Sequence, residues 1–175
     1  MSQPISTVSH SQLDLNVLSA QILAVGEALR AQQWTLTTAE SCTGGGIAFA
    51  LTSVAGSSDW FRQSWVTYAN QAKQHLVDVS AESLAQYGAV SAQVVTEMAN
   101  GAAIKAGAEC AVAVSGVAGP GGGSDAKPVG TVWFGFTING NTEAVVKHFS
   151  GDRSAVRNQS IAFAVSTLHH RLVAV

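Results

Sequence analysis

The chain has 175 residues, of which 47% are hydrophobic and 11% are charged, and its formal net charge is −2. This length and apolar content suit a single domain with a substantial core. With no basic patch and no acidic tail, the charge pattern argues against nucleic acid and anionic membranes as partners.

The N-terminal residues and the cysteines indicate in which cellular compartment the protein is found. Residues 1–10 are expected to be a flexible polar lead, and the N-terminus lacks the basic and apolar regions that predict a signal peptide. The longest apolar runs are too short to span a membrane. Cys42 and Cys110 are far apart in the sequence and neither has a CxxC partner. We therefore expect a cytoplasmic protein with one domain over residues 11–175.

In the first half of the chain, apolar residues at alternating spacings of three and four predict an amphipathic helix that runs to about Gln33. A short strand is expected over residues 34–38. A glycine-rich turn follows, and then a helix that ends near Gly56. A second strand is expected over residues 65–68, with one or two helical turns over residues 70–76.

In the second half, Ser80 is expected to begin a helix, and Ser91 to cap a longer one that ends at Gly107. The stretch CAVAVSGVAG, which starts at Cys110, is typical of a buried strand. Strands over residues 130–138 and 143–149 flank the hairpin signal NGN, and a final amphipathic helix closes the chain. Interleaved helices and strands predict an α/β layered domain with a mixed sheet.

The stretch TTAESCTGGG, residues 37–46, raises a question of chemistry. Ser41 and Cys42 lie on the predicted turn from strand to helix, where unpaired N–H groups and the helix dipole favour negative charge. The glycines would let a ligand approach the backbone, so this turn could present a hydroxyl and hold an oxyanion. The alternative is structural: Ser41 or Thr43 caps the helix, and the glycines allow tight packing.

A serine nucleophile needs a base, and the five scattered histidines form no such motif and no metal site. P-loop, Rossmann and GxSxG motifs are absent as well. Lys127 stands in an SxxK spacing with Ser124, but a glycine run and a proline flank it, so we take the match as accidental. Lys73, in TYANQAKQHL, could act as a free amine if burial lowers its pKa. The alternative is a surface lysine beside a packed Tyr68.

Four motifs in unbroken order carry a resemblance to a known family: TAESCTGG, VTYANQAK, GAVSAQVVTEMANGA and AVSGVAGPGGGSDAKPVGTVWFG. Together they resemble the CinA C-terminal domain family, over roughly residues 15–173. The resemblance implies a three-layer α/β/α fold, assembly into homodimers, and no metal or organic cofactor.

The resemblance also implies an activity: hydrolysis of the carboxamide of nicotinamide mononucleotide to nicotinic acid mononucleotide and ammonia, a step in pyridine-nucleotide salvage. In the matching motifs, Ser41 would be the nucleophile, Lys73 the base and Tyr68 an assisting group. A nicotinoyl ester of Ser41 would be the intermediate. The N-terminal domain that some family members carry has no counterpart in this chain.

Binding residues can be proposed from the chemistry of the substrate. Backbone groups of Thr43, Gly44 and Gly45 could contact the reacting amide, and the glycine loop with Gly116 and Gly121 could contact the 5′-phosphate. Arg153 suits the same phosphate, since a guanidinium binds anionic oxygens well. Two rival functions stay open: a non-catalytic nucleotide-binding or regulatory module of the same fold, and an amidase or peptidase for another small amide.

Overall fold

The computed structural model describes residues 13–173, so the polar lead expected over residues 1–10 lies outside the described range. Six helices and five strands form this part of the chain. The helices are α1 (Leu15–Gln32), α2 (Gly46–Leu51), α3 (Asn70–Val77), α4 (Ala81–Tyr87), α5 (Ala92–Ala106) and α6 (Arg153–Val173). The strands are β1 (Leu36–Glu40), β2 (Phe61–Val66), β3 (Cys110–Gly116), β4 (Thr131–Ile138) and β5 (Asn141–His148).

The five strands form one mixed sheet in the order β2-β1-β3-β4-β5. β1 runs parallel to both β2 and β3, whereas β3–β4 and β4–β5 are antiparallel. The carboxyl ends of β1, β2 and β3 therefore meet at one edge of the sheet. That edge is where α/β proteins place their ligand sites, because the connections that follow parallel strands all lie there.

Helices cover both faces of the sheet and give the three-layer α/β/α fold that the resemblance implied. One apolar cluster joins α1, α2 and α6 to the sheet, and a second joins α5 and the end of α3 to the other face. Trp60 is fully buried against α1, and its fit requires Gly26, where a Cβ would lie 2.6 Å from the indole Nε1. No helix within residues 13–173 is both long enough and apolar enough to cross a bilayer.

The predicted helix signals beyond β2 are confirmed. The hydroxyls of Ser80 and Ser91 accept hydrogen bonds from backbone N–H groups in the first turns of α4 and α5. Gly107 ends α5 in the left-handed region, with φ 59°. The hairpin turn is tighter than expected, because Asn139 and Gly140 alone connect β4 to β5, both with positive φ.

Two predicted strands begin at different residues. β1 starts at Leu36 rather than Trp34, because the Trp34 N–H donates to Leu29 O at 2.9 Å and so closes the end of α1. β2 covers Phe61–Val66 rather than residues 65–68. As an edge strand it buries only Phe61 and has no apolar alternation that marks its bounds. Helix α2 ends at Leu51 rather than near Gly56, and a single 3₁₀ turn, Ser57–Asp59, follows.

Candidate active site

The turn after β1 is organised by a buried carboxylate, Glu40. Its side chain is fully buried and accepts a 2.6 Å hydrogen bond from the Thr43 hydroxyl. It also accepts from the backbone N–H groups of Gly45, Ile47 and Ala48 at 3.1, 3.0 and 2.8 Å. A carboxylate thus satisfies the donors at the start of α2, where the helix dipole favours negative charge. Sequence analysis missed this role; its one signal is an acid placed directly between a buried strand and a glycine-rich helix start.

Ser41 and Lys73 meet at this turn. The Lys73 Nζ lies 3.1 Å from the Ser41 Oγ, 2.9 Å from Thr67 O and 3.3 Å from Tyr68 O. The Thr67 N–H donates to Glu40 O at 2.7 Å and ties the β2–α3 connection to the end of β1. α3 begins three residues after Thr67, so Lys73 lies in its first turn and next to Ser41. A pair 32 positions apart in the sequence is thus brought within hydrogen-bond distance.

Lys73 is buried and lacks a carboxylate partner. Its side chain is 1% exposed, and no acidic oxygen among residues 13–173 lies within 4 Å of its Nζ. Burial lowers the pKa of Lys73 below its ordinary 10.5, because desolvation disfavours the charged ammonium. A neutral amine has two N–H donors and one lone pair. The two carbonyls can take the donors, and the lone pair then faces the Ser41 hydroxyl, which is the arrangement a general base requires.

Cys42, the neighbouring potential nucleophile, is held in its thiol form. Its side chain is 7% exposed. Burial raises the pKa of Cys42 to about 11, and the Glu40 carboxylate adds to the rise. The sequence placed Cys42 on a turn where the helix dipole favours negative charge, but burial and the neighbouring Glu40 carboxylate outweigh that effect. Within residues 13–173 the Lys73 amine therefore makes a hydrogen bond to the Ser41 hydroxyl and none to the Cys42 thiol.

Some of the backbone N–H groups beside Ser41 donate hydrogen bonds and others do not. The Gly44 N–H donates to Ser41 O at 3.0 Å, and the Gly45 N–H donates to Glu40. Those of Cys42 and Thr43 donate to no backbone carbonyl within residues 13–173, and the Cys42 N–H acts only on the thiol of its own residue. The free donors of the turn are thus the two directly after the serine. Gly44 and Gly45 have positive φ, 60° and 93°, so the turn itself requires glycine there.

Tyr68 contributes to the site through two different atoms. Its carbonyl oxygen accepts from Lys73, but its hydroxyl, on a side chain that is 58% exposed, accepts a 2.8 Å hydrogen bond from Nη2 of Arg153. Nη1 of Arg153 donates to Gly119 O at 2.9 Å. The guanidinium thus joins the loop after β3 to the tyrosine, across the edge where Ser41 lies. Within the described residues the tyrosine hydroxyl makes no hydrogen bond to the serine or the lysine.

Gly116 and Gly121, which the sequence analysis offered as contacts to the 5′-phosphate, lie in different surroundings. Gly116 ends β3, and a Cβ there would lie 2.7 Å from a Val132 methyl carbon, so close packing on β4 explains the glycine. Gly121 is exposed, with no atom near its would-be Cβ. The Lys127 Nζ donates to Tyr87 O at 2.7 Å, and only the Lys127 backbone N–H donates to the Ser124 hydroxyl, at 3.2 Å, so the SxxK spacing does not pair this amine with the serine.

A further guanidinium at the turn, Arg157, was missed by sequence reasoning. Its Nη2 donates to Thr43 O at 3.0 Å, and its Nε is buried without a hydrogen-bond partner. It lies four residues after Arg153 on α6 and therefore on the same helix face, a spacing visible in GDRSAVR. Among residues 13–173, no three His, Cys, Asp or Glu side chains gather as a metal-ligand set.

Comparisons with known proteins identify the family of the chain. The model of the CinA C-terminal domain matches residues 19–172. The nicotinamide-nucleotide amidohydrolase PncC of Enterobacter agglomerans is 55% identical over 158 residues, which is 90% of this chain and 94% of that protein. The protein of the same name from Escherichia coli K12 is 56% identical over 145 residues, 82% of this chain and 88% of that protein.

A solved structure is similar as well. The crystal structure of the competence damage-inducible protein A from Klebsiella pneumoniae superposes with a TM-score of 0.85 at 42% sequence identity. The superposition covers 89% of this chain and 97% of that one. The two proteins are thus similar in both fold and sequence over most of this chain.

Proposed function

This chain belongs to the CinA C-terminal domain family, and from that membership and the Ser41–Lys73 geometry we propose that it deamidates nicotinamide mononucleotide. The products are nicotinic acid mononucleotide and ammonia. The names of its relatives support the substrate class. One observation carries the chemistry: a buried lysine without an acidic partner, 3.1 Å from a serine hydroxyl.

Acylation begins when neutral Lys73 takes the proton of the Ser41 hydroxyl. The Oγ then attacks the carboxamide carbon, and negative charge develops on the amide oxygen. The free N–H groups of Cys42 and Thr43 are the donors available to hold that oxyanion. When the tetrahedral intermediate collapses, the Lys73 ammonium returns its proton to the leaving nitrogen. Ammonia departs, and an ester joins Ser41 to the nicotinoyl group of the mononucleotide.

Deacylation repeats these roles with water in place of the serine. Lys73 takes a proton from the water, whose oxygen attacks the ester carbon, and the same two N–H groups hold the second oxyanion. Lys73 then returns the proton to the Ser41 Oγ as the acid leaves. No group besides these residues and water enters the balance.

Tyr68 acts through its carbonyl and, in this proposal, through Arg153. The carbonyl helps to orient the lysine amine, and the hydroxyl lies 2.8 Å from Nη2 of Arg153. Through Arg153, the hydroxyl therefore acts on the phosphate end of the substrate, so the assisting role that the resemblance implied for Tyr68 is indirect. Arg153 is the group proposed to contact the 5′-phosphate. A homodimer and a cytoplasmic location stay predictions from the sequence.

An ammonia assay tests the function. The purified full chain is incubated with nicotinamide mononucleotide and excess EDTA, and ammonia is measured through glutamate dehydrogenase. We expect steady release by the wild type, none by Ser41→Ala, and normal release by Ser64→Ala, which alters an exposed serine on β2.

Two results would contradict the proposal. Binding of the mononucleotide without ammonia release would favour a non-catalytic nucleotide-binding or regulatory module. A panel of nicotinamide, its riboside, the mononucleotide and the dinucleotide tests the substrate. Preference for a compound other than the mononucleotide would show an amidase for another small amide.

A further inference from the structure

Lys127 connects the loop between β3 and β4 to the end of α4. Residues 120–126, 128 and 129 of this loop are exposed, whereas Lys127 is half-buried. Its Nζ donates to the carbonyl oxygen of Tyr87, the last residue of α4, at 2.7 Å. A helix leaves its last carbonyls without intrahelical donors, and its dipole favours a cation there. Because α4 has no basic residue in its own last turn, Lys127 supplies that charge from another segment.

The loop that carries Lys127, residues 117–130, is folded back on itself, and we call it the β3–β4 arm. At its tip the Ser124 N–H donates to Lys127 O at 3.0 Å, and the Lys127 N–H donates to Ser124 O at 3.1 Å. A Cβ at Gly119 would lie 2.6 Å from a methyl carbon of Val129, so the two legs of the arm are in close contact. A restraint on Lys127 at the tip therefore also restrains Gly119 near the base.

The base of the arm contacts the guanidinium that is proposed to bind the substrate. Gly119 O accepts a 2.9 Å hydrogen bond from Nη1 of Arg153, and Nη2 donates to the Tyr68 hydroxyl at 2.8 Å. Arg153 forms no ion pair within residues 13–173. Its orientation therefore depends on these neutral oxygens, and one of them belongs to the arm.

We propose that Lys127 is a positioning residue of the active site. By connecting the β3–β4 arm to α4, it holds the Gly119 carbonyl where that carbonyl orients Arg153. The effect on substrate binding rests on the proposed function, whereas the connection between the arm and α4 does not. Because Lys127 acts through the arm and not on the reacting atoms, its loss affects substrate binding more than the chemical step.

A role in the stability of α4 alone is the competing explanation for the contact between Lys127 and Tyr87. In that case Lys127→Met would loosen the end of α4 but would leave the arm and KM unchanged. An Arg153→Gln background separates the two roles. If Lys127 acts through Arg153, removing both side chains should cost little more than removing Arg153 alone, whereas independent effects would multiply.

Steady-state kinetics with nicotinamide mononucleotide and hydrogen exchange measured by mass spectrometry test the proposal. The full-length proteins are the wild type, Lys127→Met, Lys127→Arg, Arg153→Gln and the double variant of Lys127→Met with Arg153→Gln. Lys147→Met, which removes an exposed lysine on β5, is the matched control. Exchange is compared in peptides that cover the arm and residues 81–90.

We expect Lys127→Met to raise KM about tenfold, because a hydrogen bond from a charged donor is lost, and to change kcat by less than about twofold. Lys127→Arg keeps a cationic donor and should recover most of the wild-type KM. Lys147→Met should behave like the wild type. In the Arg153→Gln background, Lys127→Met should change kcat/KM by less than about twofold. Amides of the arm should exchange about fivefold faster or more in Lys127→Met, and not in Lys147→Met.

A wild-type KM or an unchanged exchange of the arm in Lys127→Met would overturn the proposal. So would effects that multiply in the double variant, or a Lys127→Arg protein as impaired as Lys127→Met. If circular dichroism shows that Lys127→Met does not fold, Lys127→Gln is judged by the same readouts: a raised KM with faster exchange supports the proposal, and wild-type values contradict it. If the wild type releases no ammonia, the amidase is wrong, and exchange alone decides whether Lys127 holds the arm.

Discussion

In the proposed mechanism, the reactivity of the site depends on the loss of one proton from Lys73. Its amine is buried between two carbonyl oxygens and the Ser41 hydroxyl, and no acid stands close enough to stabilise the ammonium. A lysine whose pKa is lowered by burial is a weaker base than an exposed lysine. It also leaves more free amine near neutral pH, which is what a serine hydroxyl needs.

The pH dependence of kcat/KM should follow Lys73. Since burial lowers the pKa of Lys73 below 10.5, activity should be full above that lowered pKa and fall tenfold per pH unit below it. Lys73→Arg keeps the charge but cannot deprotonate, so its kcat should fall by a factor of about 10² to 10⁴. Ammonia release between pH 5 and 10 measures both effects. A Lys73→Arg protein with near-normal turnover would remove this lysine from the mechanism.

Cys42 should be dispensable for the chemistry. With a pKa raised to about 11 by burial, roughly one thiol in 10⁴ is ionised at pH 7, so the thiolate is nearly absent. Cys42→Ala should therefore keep most of the wild-type kcat. Iodoacetamide should react slowly with the folded chain and faster in urea, which peptide mass mapping of residue 42 can measure. Rapid alkylation of the folded protein with parallel loss of ammonia release would point to the thiol as nucleophile.

At the scale of elements, helix α2 depends on Glu40 for its start. The helix has six residues, too short to be stable alone, and its N-cap residue, Gly45, offers no side chain to the first turn. The Glu40 carboxylate accepts the hydrogen bonds from the first turn that an N-cap side chain would otherwise accept. The same hydrogen bonds fix the turn that carries Ser41. The Glu40 side chain thus serves both the stability of α2 and the geometry proposed for catalysis.

Glu40→Gln should therefore impair both stability and catalysis. The amide oxygen can replace one acceptor, but the NH₂ group would face backbone donors that the carboxylate now satisfies. We expect a loss of about 2 kcal/mol or more in the free energy of unfolding and a lower kcat with a smaller change in KM. Urea titration and steady-state kinetics measure these, with the exposed Glu27→Gln on α1 as control. Wild-type kcat in Glu40→Gln would show that the turn holds without the carboxylate.

The sequence predicted elements best where local signals are strong. Ser91 and Gly107 bracket α5 as expected, because caps act on their own helix end. β2 was misplaced because an edge strand with one buried residue carries no alternation. The meeting of Ser41 with Lys73 came from the family resemblance, since nothing local joins a turn to a helix 32 positions away. Glu40 and Arg157 were missed for a related reason: their partners are fixed by the close approach of separate segments.

For the whole molecule, a buried lysine with a lowered pKa links the proposed activity to folding. Between its lowered folded-state pKa and the ordinary 10.5, the unfolded chain binds the proton of Lys73 and the folded chain does not. The lysine therefore reduces the free energy of unfolding at lower pH, and this penalty fades as the pH rises through that window. The fold bears a cost in stability at the position where the chemistry occurs.

Lys73→Met should expose this cost. The free energy of unfolding of the wild type, relative to that of Lys73→Met, should increase as the pH rises from the lowered pKa of Lys73 towards 10.5, because the wild type alone has the group that titrates. Urea titrations of both proteins at several pH values measure the difference. The exposed Lys147→Met on β5 serves as control and should show no such trend. A difference that shrinks as the pH rises would mean that the folded state stabilises the ammonium.

The most direct test of the serine–lysine mechanism is to identify the acylated residue. The full chain is mixed with nicotinamide mononucleotide, quenched in acid within the first turnovers, digested and mapped by mass spectrometry. We predict a peptide heavier by the mononucleotide less ammonia, with the ester on Ser41, and no such peptide from Ser41→Ala. An adduct on Cys42, or ammonia release by Ser41→Ala at the wild-type rate, would contradict the mechanism.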